Sequence, residues 1–173
     1  MAMPQQKPGR SMQDYQTPEN FLAATKLKVG VETFAIDLAA DEWNSAADLW
    51  YDEAQDSLKQ PWYEPARGGW AWLNPPFGKL EPWVKKACTE SLLGRESGIA
   101  MLVPAAVGSN WWRDWVHDRA RVLLLNGRLT FVGQPTCYPK DCCLLLYGRF
   151  QQPGYEVWTW PLELTPSESE PEE

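Results

Sequence analysis

The tetrapeptide Asn74-Pro75-Pro76-Phe77 carries most of the chemistry that can be read from this chain. At average residue frequencies, Asn-Pro-Pro followed by Phe or Tyr arises by chance in on the order of one chain per thousand of this length. A loop breaker after a strand would explain the prolines but not the flanking Asn and Phe. The four residue types suit transfer of a methyl group to a planar nitrogen. An exocyclic amine such as adenine N6 has its lone pair drawn into the ring, so it is a poor nucleophile, and ordinary base catalysis does not cure that. Acceptors must draw its hydrogens out of conjugation. The Asn74 side-chain oxygen and the Pro75 main-chain carbonyl, held rigid by Pro76, are two acceptors that can aim at one NH2. This is electrostatic preorganisation with near-attack geometry rather than acid–base chemistry. The Phe77 ring offers a stacking platform worth roughly 1–3 kcal/mol, which helps offset the few kcal/mol needed to take a base out of a duplex.

Such a reaction needs a methyl donor, and sulfonium chemistry needs no metal. That suits a chain with one histidine, His117, and four cysteines, Cys88, Cys137, Cys142 and Cys143, none in a C-x-x-C pair. No metal site is expected, His117 reads as a surface or cap residue, and the cysteines read as reduced apolar packing. Asp37 could accept from the donor's ammonium or ribose hydroxyls, or cap the element that follows. Asp56 could accept from the donor's adenine amino group or stand as a solvated loop acid. Tyr15 and Thr17 lie beside the first helix, where a capping role for Thr17 and a cofactor role are compatible.

Several basic and aromatic residues, Trp111, Trp112, Arg113, Trp115, Arg119 and Arg121, follow Val103-Pro104. They could line a DNA groove, arginines meeting phosphates and tryptophans meeting bases. Helical spacing sends Trp111 and Trp115 into the core and leaves Trp112 exposed. Arg128 could bind phosphate or brace the sheet. Lys79, Trp112, Arg113 and Arg128 are the expected DNA contacts.

The elements that must position these groups can be read in order. Thr17-Pro18-Glu19 is a helix start, because Thr can cap, Pro is tolerated in the first turn and Glu favours the positive helix end. A helix over 18–29 follows. Thr33–Ile36 is a short β-prone run ending in Asp37, and 39–50 reads as a turn leading into a helix. Residues 52–69 are irregular, broken by Pro61, Pro65, Gly68 and Gly69. Trp70–Leu73 is a strand that Pro75 and Pro76 force out of the sheet. A helix over 81–93, a strand over 99–103, a helix over 111–117 and strands over 122–125, 127–132 and 142–147 complete the pattern. Strands alternating with helices, several of them continuous apolar runs, predict an α/β fold with a mostly parallel sheet and helices on both faces. The last strands, with Gly127 and Gly133 between them, are candidates to close antiparallel. In such sheets ligands bind beyond the carboxyl ends of the strands. Asp37, Asn74 and Pro104 stand at three such ends.

With 173 residues, 44% apolar and 13% aromatic, the chain has the material for one core. No run approaches the roughly 18 apolar residues of a membrane span, and residues 1–10 lack the apolar run of a secretory signal, so a soluble, cytoplasmic protein is expected. A formal charge of −7 does not by itself suit a nucleic-acid partner, but five glutamates fall in residues 163–173, leaving −2 on residues 1–162. The chain thus divides into a flexible arm (1–12), a single domain (13–162) and an acidic, disordered tail (163–173). A near-neutral domain can still carry a basic face.

From about Asp14 to Tyr147 the sequence resembles the phage-type DNA N6-adenine methyltransferases. The resemblance rests on blocks in order: Asp14–Pro18; Phe34–Ala40 with Asn44; Asp56-Ser57-Leu58 with Trp62; Trp72–Phe77 with Trp83–Ala87; Leu102–Ala105; and Gly127–Phe131. It implies a Rossmann-like class I methyltransferase domain with S-adenosylmethionine as cofactor, acting on adenine N6 of DNA with the base flipped into the site. It also implies catalytic roles for Asn74, Pro75, Pro76 and Phe77, and cofactor contacts from Tyr15, Thr17, Pro18, Asp37, Ala39 and Asp56. Ala39 and Ala40 stand where many methyltransferases have a Gly-rich turn. No separate target-recognition domain fits in 173 residues, so sequence choice falls to loops. A phage enzyme of this kind, in the cytoplasm of a bacterium or infected host, could shield its genome from restriction. RNA adenine and the amide of a protein glutamine are alternative acceptors for the same device. A non-catalytic DNA- or cofactor-binding relative is a further alternative. The target sequence, strand preference and oligomeric state are not written in the chain.

Overall fold

A six-stranded sheet forms the centre of the molecule, and apolar side chains alternate to its two faces along every interior strand. The computed structural model describes residues 15–94 and 96–160; the expected arm (1–12) and the tail expected over 163–173 lie outside the described residues. The strands are β1 (Ile36–Asp37), β2 (Trp70–Leu73), β3 (Gly98–Pro104), β4 (Arg121–Leu125), β5 (Cys142–Gly148) and β6 (Gly154–Trp158), and the helices α1 (Glu19–Val29), α2 (Tyr63–Ala66), α3 (Glu81–Leu93) and α4 (Asn110–Trp115). Strand order across the sheet is β1-β2-β3-β5-β4-β6.

Helices cover both faces, as expected. On one face Ala71, Leu73, Ile99, Met101, Val103, Val122, Cys143 and Leu145 pack with Val84 and Ala87 of α3 and Trp112 of α4. On the other, Trp70, Trp72, Ala100, Leu102, Leu123, Leu144 and Leu146 pack with Phe21 and Leu22 of α1 and with Leu129, Phe131, Trp158 and Trp160. The period-2 alternation of a strand assigns each side chain to one face. At Gly98 a Cβ would meet the Trp70 ring at 2.5 Å, so only glycine lets that indole lie across the start of β3. α1 begins at Pro18, whose carbonyl accepts from Phe21 N and Leu22 N, and ends at Gly30, φ 77°, whose N–H returns to Lys26 and Leu27 carbonyls.

The sheet is mixed rather than mostly parallel. β1–β2, β2–β3 and β4–β6 are parallel, whereas β5 is antiparallel to both β3 and β4. The physical reason is the β4–β5 connection, which contains no crossover helix; without one the chain can only return antiparallel. Residues 127–132 are not a strand, because β4 already has β5 on one side and β6 on the other. Leu129 and Phe131 instead tuck onto the α1 face. The helix expected within 39–50 is also absent. Its backbone N–H groups are taken by local side chains: Ala39 N and Ala46 N by the Asp37 carboxylate, Trp43 N by Asp41, Asp41 N by Asn44 and Ala47 N by Ser45. These bonds compete with the helical ladder. Strand β6 has no counterpart in the sequence reading. Among the described residues no helix is long and apolar enough to cross a membrane.

Candidate active site

Asn74 leaves the carboxyl end of β2 where the two prolines end the ladder. Its side-chain Nδ2 donates to the Tyr15 carbonyl (2.8 Å) and to Thr17 Oγ1 (3.1 Å). A carbonyl can only accept, so the NH2 side of the amide faces Tyr15 and the Oδ1 side faces away. Neither Asn74 Oδ1 nor the Pro75 carbonyl accepts a hydrogen bond within the protein among the described residues. The two acceptors that the sequence singles out thus have no protein partner among the described residues. Thr17 is buried, and its hydroxyl serves Asn74 rather than capping α1, which has no side-chain cap.

Beside Asn74 lies a crevice of about 20 Å3 walled by Tyr15, Thr17, Asp37, Ala39, Asn44 and Asn74 among others. Asp37 ends β1, and both of its main-chain groups bond one segment: the Asp37 N–H donates to Leu49 O and its carbonyl accepts from Tyr51 N. Its carboxylate is 3% exposed, with Ala39 N on Oδ1 (3.1 Å) and Ala46 N on Oδ2 (2.9 Å). Burial pushes the carboxyl up to about 6, against the two backbone N–H bonds that lower it, with Asp41 adding a small upward push. Four of the expected cofactor residues, Tyr15, Thr17, Asp37 and Ala39, meet in this crevice. Two do not: Pro18 starts α1, and Asp56, with φ 51°, opens a 3-10 turn at Ser57–Lys59 and pairs with Lys59 at 2.7 Å.

At the Phe77 end of the Asn-Pro-Pro-Phe turn a cleft of about 620 Å3 opens, lined from Phe77 onward. Phe77 is one wall, its ring set edge-on to Phe131 (centroids 6.1 Å) and to Tyr138 (5.5 Å). Lys79, Arg128 and Lys140 bring positive charge to the cleft, Glu81 and Asp141 negative, and Trp111 lies among its walls. Arg128 Nε donates to Asp141 at 3.3 Å, while Lys79 and Lys140 form no ion pair among the described residues. Of the four expected DNA contacts, Lys79 and Arg128 line this cleft. Trp112 does not: it is 3% exposed, on the sheet-facing side of α4, and its indole donates to the Tyr155 hydroxyl. Trp111 and Trp115 are the partly exposed pair, the reverse of the expected arrangement. Ser109 caps the start of α4 through its hydroxyl, fixing this rotation. Arg113 is absent from the cleft walls and makes a two-point contact with Asp114. Lys140 is the cationic residue that the sequence reading missed. It reaches the cleft because antiparallel β5 places Cys142 opposite Pro104, with Ala105 N donating to Asp141 O.

The α/β domain thus carries a small recess with a buried carboxylate at Asn74 and a larger charged cleft at Phe77, joined by the Asn-Pro-Pro-Phe turn. The model of the family DNA N-6-adenine-methyltransferase (Dam) matches residues 6–151, and the chain belongs to that family. Both recesses lie within this stretch, and β6 lies beyond it. A protein of Escherichia phage T1 named DNA N-6-adenine-methyltransferase is 27% identical over 116 residues, covering 67% of this chain and 46% of that protein. One of the same name from Haemophilus phage HP1 (strain HP1c1) is 28% identical over 110 residues, covering 62% and 60%. The chain thus spans about half the length of the curated relatives it matches.

Proposed function

We propose that this chain transfers a methyl group from S-adenosylmethionine to the exocyclic N6 of adenine in DNA, from a Rossmann-like class I domain spanning residues 13–162. One observation carries the reading: Asn74 Oδ1 and the Pro75 carbonyl have no protein partner among the described residues, on a turn whose Asn74 lines the Asp37 crevice and whose Phe77 lines the large cleft. Family membership agrees with it.

The cofactor supplies an electrophilic methyl on a sulfonium. In donor chemistry the crevice fits it. A carboxylate offers about four lone-pair positions, and Asp37 uses two of them on Ala39 N and Ala46 N, leaving acceptors for an ammonium or ribose hydroxyls. In size the crevice, about 20 Å3, holds roughly one water, so its walls must part to admit the cofactor. The wall around 41–48 is the exposed one, with Trp43 at 84%.

In the cleft, Phe77 takes the face of the flipped adenine, and Phe131 and Tyr138 hold the Phe77 ring in place. Asn74 Oδ1 and the Pro75 carbonyl accept the two N6 hydrogens, drawing the lone pair towards the methyl and stabilising the positive charge that develops on nitrogen. Lys79, Arg128 and Lys140 offer charge for flanking phosphates, which would make binding salt-dependent. The test is mass spectrometry of nucleosides from plasmid DNA after expression in a host lacking adenine methylation, beside Asn74→Ala. N6-methyladenine with the intact protein and not with the variant is the expected result. Absence of the modified base from DNA with a folded, cofactor-binding protein would refute it.

A further inference from the structure

We infer that Tyr15–Thr17 is a positioning strap that fixes the rotational state of the Asn74 amide, with Thr17 acting on the reaction through Asn74. The inference deepens the methyl-transfer reading and rests on it. An asparagine amide turned over by 180° occupies nearly the same space, so packing alone does not decide whether oxygen or nitrogen meets the substrate. Only one of the two states presents an acceptor to a target amine. Here the choice is made by a partner of fixed polarity, the Tyr15 carbonyl. Tyr15 O, 2.8 Å from Nδ2, has no proton to give, and in the reversed state two acceptor oxygens would face each other at that distance. Thr17 Oγ1, at 3.1 Å, takes the second N–H, so both amide protons are consumed and the substrate can meet only Oδ1. Thr17 is 6% exposed, so its hydroxyl is screened from bulk solvent.

The strap is itself held. Val132 N donates to Gln16 O at 3.0 Å, and the Pro18 carbonyl starts α1 through Phe21 N and Leu22 N. The Tyr15 ring rests on Phe131 at 5.4 Å, and Phe131 rests on Phe77 at 6.1 Å. The amide that meets the amine and the ring that stacks the base are therefore aligned by the same three residues. The arrangement also accounts for asparagine at position 74 in this chain. An aspartate there would keep an acceptor for the substrate but would set a carboxylate oxygen against the Tyr15 carbonyl with no proton between them.

The experiment compares full-length Thr17→Val, Thr17→Ser and Asn74→Asp with the wild type. The readouts are kcat on adenine-containing duplex, S-adenosylmethionine affinity by calorimetry, and hydrogen exchange of the Asn74 side-chain amide by NMR. Thr17→Val should lower kcat at saturating cofactor about tenfold, the effect of one hydrogen bond, with KM for DNA within about twofold and faster exchange of the Asn74 amide. Thr17→Ser should restore both kcat and protection. Asn74→Asp should lose at least about a hundredfold in kcat. Unchanged kcat in Thr17→Val, a loss confined to cofactor Kd, or a near-wild-type Asn74→Asp would each overturn the strap. A wild type with a protected Asn74 amide that methylates no DNA would refute the proposed reaction while supporting the strap.

Discussion

Lowering the pH from 7 to 5 should weaken S-adenosylmethionine binding about tenfold, through one carboxyl group. Asp37 titrates near 6 in the folded protein because burial disfavours its charge. With a midpoint of 6, about nine-tenths of the protein carries an ionised Asp37 at pH 7 and about one-tenth at pH 5. The carboxylate is the form that accepts both from a cationic ligand and from the two N–H groups of Ala39 and Ala46 that shape the crevice. If binding requires that form, affinity follows its population, and near pH 6 about half a proton is released for each cofactor bound. Calorimetry at several pH values, repeated in two buffers of different ionisation enthalpy, reads both quantities. Asp37→Asn should bind more weakly and show no such slope. A flat Kd between pH 5 and 7, or heats independent of buffer near pH 6, would refute the argument. The same group acts on folding. Its folded value of about 6 lies above the ordinary 3.8. Its contribution to stability is therefore fully present below about pH 4, falls by about 3 kcal/mol as the pH rises to 6, and is absent above that.

Phe77→Ala should raise KM for DNA far more than cofactor Kd, and Phe77→Tyr should be tolerated; steady-state kinetics with calorimetry separates the two effects. Asp141→Asn should tighten duplex binding about two- to fivefold at low salt by releasing Arg128. In fluorescence anisotropy that gain should vanish in an Arg128→Gln background. Trp112→Ala should cost about 3–5 kcal/mol of stability, seen as a lower midpoint in denaturant, because Trp112 is core and not a base contact.

The turn at Asn74–Phe77 was legible because proline leaves a sheet for reasons that do not depend on the rest of the fold. The helices α1 and α3 and the strands β2 and β3 were legible for a similar reason, the helices from a proline at their start and an apolar face, the strands from a continuous apolar run. What escaped the sequence was set by distant partners. Lys140 joins the cleft only because β5 inserts antiparallel between β3 and β4. Trp112 turns inward because of the α4 cap and the Tyr155 hydroxyl of β6. β6 itself alternates exposed Tyr155 and Val157 with half-buried Glu156, so it lacks the apolar run that marks the interior strands. The stretch after Asp37 holds enough Ala to suggest a helix, but its Asp, Asn and Ser side chains satisfy the backbone locally.

The position of β5 in the sheet bears on how the chain folds during synthesis. β3 is apolar along its whole length, and its antiparallel neighbour ends at Gly148, which pairs with Gly98. At about 5–20 residues per second, the ribosome needs roughly 2–9 s after Pro104 to deliver that partner. During that interval one side of β3 is an open edge of the kind that templates aggregation. The cleft is also unfinished until then, because residues 139–141 arrive with β5. A nascent chain can therefore form the Asn-Pro-Pro-Phe turn well before it has anywhere to hold a base.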